Sequence, residues 1–95
     1  MSTPGGLRLR PTKAFERDLK RLQKRGKDMS RLRDVLERIR NDFALEPRHR
    51  DHPLSGEWSG WRDCHIEGDW VLIYRVDRDS GEVLLGRSGT HSDLF

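Results

Sequence analysis

Leu7-Arg8-Leu9-Arg10 alternates apolar and basic positions, the period of a half-buried strand, and Pro11 ends it. The period then changes. Phe15, Leu19 and Leu22 recur at helical spacing, which predicts a helix capped by Thr12 and stopped at Gly26. Lys13, Arg17, Lys20 and Lys24 fall on its opposite face. Asp28 caps a second helix, whose stripe of Met29, Leu32, Val35, Leu36, Ile39 and Phe43 carries it towards Glu46. There Pro47 restricts the preceding residue and ends it. Asp34 and Arg38 have the spacing of a surface pair on this helix.

Residues 47–60 hold Pro47, Pro53, Gly56 and Gly60 and read as a loop anchored by Leu54 and Trp58. Three strand signals follow, over 61–66, 70–76 and 82–87, joined by turns at Glu67-Gly68 and 77–81. The middle one is nearly continuously apolar, as a central strand buried on both faces would be. A short tail runs from Gly89 to Phe95. The order strand, helix, helix, three strands predicts an α+β domain. Two helices pack on an antiparallel three-strand meander, and the N-terminal strand completes a four-stranded sheet.

Composition narrows this picture. Ninety-five residues make one domain with a modest core, and residues 1–6 are expected to form a flexible tail. Charged residues reach 37% against 33% hydrophobic, yet the apolar positions cluster, which separates the chain from disordered sequences. No run approaches the roughly eighteen apolar residues of a membrane helix, and the N-terminus has no apolar signal region. A single cysteine, Cys64, excludes an internal disulfide and a cysteine-rich zinc site, so a reduced cytoplasmic setting is expected.

The net charge of +3 hides an asymmetry. Residues 1–50 carry 15 Lys and Arg against 7 Asp and Glu, whereas residues 51–95 carry 4 against 9. The basic half fits a polyanionic partner, and it equally fits a solvated helical surface.

Candidate chemistry gathers in the acidic half. His52 precedes Pro53 and is biased to extended backbone. Asp63 and His65 stand two apart on a strand and share a face. Asp69 lies at the mouth of a hairpin turn, Arg87 ends the last strand and His91 follows it. Histidines titrate near neutrality and can serve as base and acid; a carboxylate orients an imidazole; a guanidinium neutralises a phosphorane. These are the groups that RNA transesterification needs without a metal. Each also has a plain reading. Loop histidines are commonly surface residues, Asp63 and Asp69 suit turns and edges, and Arg87 suits a solvated strand end. Trp58, Trp61 and Trp70 suit a core, and Phe95 suits a frayed terminus. His49 and His52 with Asp51 between them form a weak metal signal.

The stretch His52-Pro53-Leu54, Gly56, Trp58, Gly60, Arg62-Asp63-Cys64-His65-Ile66 and Asp69-Trp70-Val71-Leu72-Ile73-Tyr74-Arg75 resembles the YafQ family of toxins. So do the segment from Lys24 to Met29 and the close from Arg87 to Phe95, and the resemblance runs from about Leu9 to the end. One departure is Gly68, where the family often has proline. The family belongs to the RelE/ParE superfamily of type II toxin–antitoxin modules. The resemblance implies a ribosome-dependent endoribonuclease that cuts mRNA in the ribosomal A site, with a preference for adenine-rich codons. It implies a 2′,3′-cyclic phosphate product, no cofactor, and neutralisation by a DinJ-like antitoxin through which alone operator DNA would be met. Carried over by position, His52, His65, Asp69 and His91 form the catalytic set, with Asp63 as a supporting carboxylate and Arg87 as the phosphate-stabilising group. Phe95 and Trp70 are then substrate contacts, and Lys13, Arg17, Lys20 and Lys24 a ribosomal RNA contact. Two other functions remain open: a ParE-like poison of DNA gyrase on the same fold, and an inert antitoxin-binding regulator.

Overall fold

A computed structural model describes residues 6–95. The expected N-terminal tail, apart from Gly6, lies outside the described residues. Strand β1 (Arg8–Pro11) leads into helix α1 (Lys13–Lys24) and helix α2 (Met29–Arg40). After a short 3-10 turn (Pro47–His49) come β2 (His52–Pro53) and a second 3-10 turn (Gly56–Trp58). Strands β3 (Arg62–Glu67), β4 (Trp70–Asp77) and β5 (Glu82–Thr90) follow, and helix α3 (His91–Leu94) closes the chain.

Thr12 caps α1 as expected. Its hydroxyl oxygen accepts from the Phe15 amide at 3.2 Å, and the hydroxyl is within 3.0 Å of the Leu85 carbonyl, tying the helix start to β5. Gly26 ends α1 at a φ of 77°, with the Lys27 amide bonded back to Leu22 and the Gly26 amide to Gln23. Helix α2 stops earlier than its apolar stripe implies. Asp42 takes the left-handed conformation at φ 62°, and the Asp42 and Phe43 amides fold back onto Ile39 and Arg38. The same termination that glycine makes in α1 is made here by an aspartate. Arg78 fastens Asp42 through two bonds of 3.0 and 2.9 Å. Phe43 is therefore thrown outward, 62% exposed, and is no part of the buried stripe. Arg38 turns to the Ala44 carbonyl and to Glu46, not to Asp34.

The sheet corrects the expected four-stranded arrangement. It has five strands in the order β1-β5-β4-β3-β2, and β1 runs parallel to β5, so it is mixed. The antiparallel meander of β3, β4 and β5 is present. The fifth strand is the two-residue β2, which pairs with the start of β3. It is too short for any periodicity to mark. Strand β5 also continues past Arg87 to Thr90, and α3 stands where a loose tail was expected. Its start is a capping box in which Thr90 and Asp93 satisfy each other's backbone amides.

Helices α1 and α2 cover one face of the sheet. Phe15, Leu22, Leu32, Val35 and Ile39 meet Cys64, Ile66, Trp70, Leu72, Tyr74, Val83 and Leu85 in the core. The alternate residues of β4, Val71 and Ile73, are also fully buried but outside that cluster. Strand β4 is thus central and covered on both faces, as its apolar run implies. Beside it, β5 bulges so that Gly86 is skipped in the pairing. A Cβ at Gly86 would lie 2.8 Å from the Trp61 ring, so this position requires glycine.

Candidate active site

The register of the sheet builds the site. His52 pairs with Asp63, Asp63 with Ile73, and Ile73 with Arg87, one row across four strands. His65, Val71 and Gly89 make the next row. Paired residues point to the same face, and here that is the face of Ile73 and Val71, away from the helical core. At the end of β5, α3 folds back so that the His91 ring sits 5.5 Å from the His65 ring, centre to centre. Phe95, 61% exposed, lies 5.9 Å beyond His91.

Hydrogen bonds orient the rings. His52 donates from Nδ1 to the Arg50 carbonyl at 2.7 Å, and His65 donates from Nδ1 to the Gly68 carbonyl at 3.2 Å. A carbonyl only accepts, so Nδ1 carries the hydrogen in both and Nε2 is left without a backbone partner. His91 turns its Nδ1 to the Asp69 carboxylate. That bond holds Asp69 below the usual carboxylate range, so Asp69 is an anion beside the His91 ring. His49 has a different job. It is buried and donates to the His65 carbonyl at 2.6 Å, which holds the Pro47–His49 turn against β3.

Asp63 lies at the centre. It is 2% exposed, and its Oδ1 has no hydrogen-bond partner. Burial pushes its carboxyl upward, while the charges of His52, His65 and His91 pull it back down. His52 pairs with Asp63, His65 follows it on the same strand face, and the His91 ring packs 5.5 Å from that of His65, so the three histidines gather around this one carboxylate. A buried anion with an unmet acceptor is costly to the fold and useful to cationic neighbours. The sign of the pH effect follows. With the folded value raised, ionising Asp63 opposes folding, so its destabilising contribution grows as pH rises from the ordinary carboxylate range through the raised value. An Asp63→Asn protein should be at least as thermally stable as the wild type near neutral pH. That advantage should vanish on acidification below about pH 4. Melting curves across pH check this; a marked loss of stability at neutral pH would show that the carboxylate is bound to a structural partner.

Arg87 stands in the same row, but Asp18 on α1 holds it. Arg87 Nε and a terminal nitrogen donate to the two Asp18 oxygens at 2.7 and 3.1 Å, which pushes the guanidinium further up. Asp18 is 1% exposed and also accepts from the Ser88 amide at 3.0 Å. Sequence reading missed Asp18. The signal was available, because it sits on the apolar stripe of α1 between Phe15 and Leu22, where a lone charge needs a partner. Trp70 is not where a substrate contact would be. It is 1% exposed and lies in the core, with its indole nitrogen donating to the Ser88 hydroxyl at 2.9 Å. Its place at the start of β4 aligns it with the helix-facing set. Lys13, Arg17, Lys20 and Lys24 are all exposed along α1.

The chain matches, over residues 7–95, the family of YafQ, a bacterial toxin of type II toxin–antitoxin systems. It belongs to the YafQ toxin family. It is 42% identical over 83 residues to the mRNA interferase toxin YafQ of Escherichia coli, covering 85% of this chain and 87% of that protein. The YafQ chain in the Escherichia coli DinJ–YafQ toxin–antitoxin complex superposes with a TM-score of 0.84 at 36% identity, covering 95% and 98% of the two chains. A metal-bound toxin from Helicobacter pylori superposes with a TM-score of 0.88 at 36% identity, covering 94% and 99%. Among the described residues of the present chain, no three His, Cys, Asp or Glu side chains converge closely enough to hold a metal ion. The His49–His52 pair is split, since His49 is committed to β3.

Proposed function

We propose that this toxin cleaves messenger RNA on the ribosome by acid–base transesterification. One observation carries the reading: His52, His65 and His91 gather around a single buried carboxylate, Asp63, with Nε2 of His52 and His65 left free by their backbone bonds. His52 and His91 form the proton-transfer pair. One removes the proton of the ribose 2′-hydroxyl, whose oxygen attacks the adjacent phosphorus. The other gives a proton to the departing 5′-oxygen. The products are a 2′,3′-cyclic phosphate and a 5′-hydroxyl. His65 packs beside His91, and the Asp63 carboxylate favours positive charge on the histidines beside the dianionic phosphorane. Asp69 orients His91, and Arg87 stabilises the phosphate oxygens with the guanidinium nitrogen that Asp18 leaves free. Phe95 offers a ring on which a base can stack.

The exposed cations Lys13, Arg17, Lys20 and Lys24 meet ribosomal RNA. A DinJ-like antitoxin neutralises the toxin, as the partner of the Escherichia coli relative is DinJ, and operator DNA is met only through that complex. The protein acts as one domain in the cytoplasm, and no helix among its described residues is long and apolar enough to cross a membrane.

The test is cleavage of a message carrying adenine-rich codons, with and without 70S ribosomes. Cutting should require the ribosome. Reversing Lys13 and Lys20 to Glu should weaken ribosome binding and lower the slope of log affinity against log salt by about one to two. Equal cutting of free message, or an unchanged salt slope, would contradict the ribosomal part of this reading.

A further inference from the structure

Beside the histidine cluster, a groove is lined by Arg31 from α2, Arg48 and Arg50 from the turn before β2, and the β3–β4 turn with Glu67 and Gly68. His65 belongs to both the groove and the cluster. Two separate segments thus bring three arginines to one place, against the single carboxylate of Glu67 in the lining. The partners these arginines have are weak. Arg31 is 3.8 Å from Asp28 and 4.0 Å from Glu67, and Arg48 is 3.5 Å from Glu46, all at exposed positions. Exposed pairs of this kind contribute little and exchange readily for a phosphate, which arginine binds through two parallel bonds.

The groove is also fastened to the catalytic rings. His49 bonds the His65 carbonyl on one side of the turn, and the Arg50 carbonyl accepts from His52 on the other. Between them Arg50 is held at a φ of 44°, a left-handed conformation unfavourable for arginine. The backbone that orients His52 thereby also presents the Arg50 side chain to the groove.

We propose that this groove is a subsite for RNA phosphate, holding the message strand next to the scissile linkage as it leaves His65. The proposal rests on the nuclease reading above and adds to it the part of the substrate that these arginines bind. The subsite acts on binding and register, whereas the histidines act on the bond being broken.

The experiment is steady-state cleavage on programmed 70S ribosomes by the wild type, by Arg48→Gln with Arg50→Gln, by Arg31→Gln, and by a control, Arg33→Gln, exposed on α2 outside the groove. The double variant should raise KM about fivefold or more and lower the salt slope by about 1.4, the value for two single-strand phosphate contacts, with kcat little changed. Arg31→Gln should act in the same sense, and the control should match the wild type. A message with one uncharged methylphosphonate next to the cleavage site should lose affinity for the wild type and not for the double variant. If the wild type cuts but the double variant keeps its KM and salt slope, the subsite is wrong and the nuclease reading stands. KM unchanged with weakened capture of a co-expressed DinJ-type antitoxin would assign the groove to the protein partner and equally overturn the RNA subsite. If the wild type itself does not cut, both readings fall.

Discussion

Replacing His91 by Gln should lower the rate of message cleavage by about a hundredfold to ten-thousandfold, the range for losing a positioned proton-transfer group. Glutamine keeps much of the shape and can still donate to Asp69, but it cannot carry a proton to the leaving oxygen. His52→Ala should lose rate on the same scale, and His65→Ala should also lose rate, because it removes the ring that packs against His91 beside Asp63. None of these should disturb the fold much. His52 and His91 are exposed, and their partners are a loop carbonyl and an exposed carboxylate. Substitutions at such positions usually change stability by about half a kcal/mol. The pairing of a large rate loss with an unchanged melting temperature is the signature. Rate retained with stability lost would make these histidines structural. The rate should follow a bell in pH, and its two limbs would belong to the interacting set of rings and carboxylates as a whole.

Asp18→Ala should instead damage the fold. It removes a nearly fully buried carboxylate that accepts from Arg87 twice and from the Ser88 amide. Breaking a buried pair leaves the partner uncompensated and costs about 3–5 kcal/mol. Arg87 is partly exposed and can recover some hydration, so about 2–4 kcal/mol is expected here. In a domain of this size that lowers the melting temperature by about 10–20 °C. Asp18→Asn should fold better and report on Arg87. It keeps an acceptor but loses the charge and the two-pronged match to the guanidinium. Cleavage should then fall in kcat more than in KM, measured well below the melting temperature. If Asp18→Asn cuts at the wild-type rate, Asp18 serves the fold alone.

Asp18 also marks where sequence reading reached and where it stopped. The caps at Thr12 and Asp28, the Gly26 stop and the central apolar strand were legible because each depends on neighbouring residues. The end of α2 was not. Its stripe continues through Phe43, but the left-handed turn at Asp42 depends on Arg78, far along the chain. The parallel edge pairing of β1 with β5 and the two-residue β2 likewise come from tertiary contacts. At the site, spacing placed Asp63 and His65 on one face, and the family resemblance supplied the remaining set. Neither could show that Trp70 points into the core while Asp63, seven residues earlier, points out of it. That is settled by the β3–β4 register, which pairs Asp63 with Ile73 and Cys64 with Leu72, so that Trp70 alternates with the helix-facing Leu72 and Tyr74.

The central claim is that the nucleophile is the substrate's own 2′-hydroxyl, deprotonated within this histidine cluster. The direct measurement is cleavage of a message bearing a single 2′-O-methyl group at the scissile nucleotide, on programmed ribosomes, with Mg²⁺ held constant. The methylated message should stay whole, while the unmodified one should be cut to a 3′ end that carries a cyclic phosphate. A methylated message that is still cut, or a free 3′-hydroxyl at the cut, would mean that water or a metal-bound hydroxide attacks instead, and would contradict the roles given to His52, His65, Asp69, Arg87 and His91.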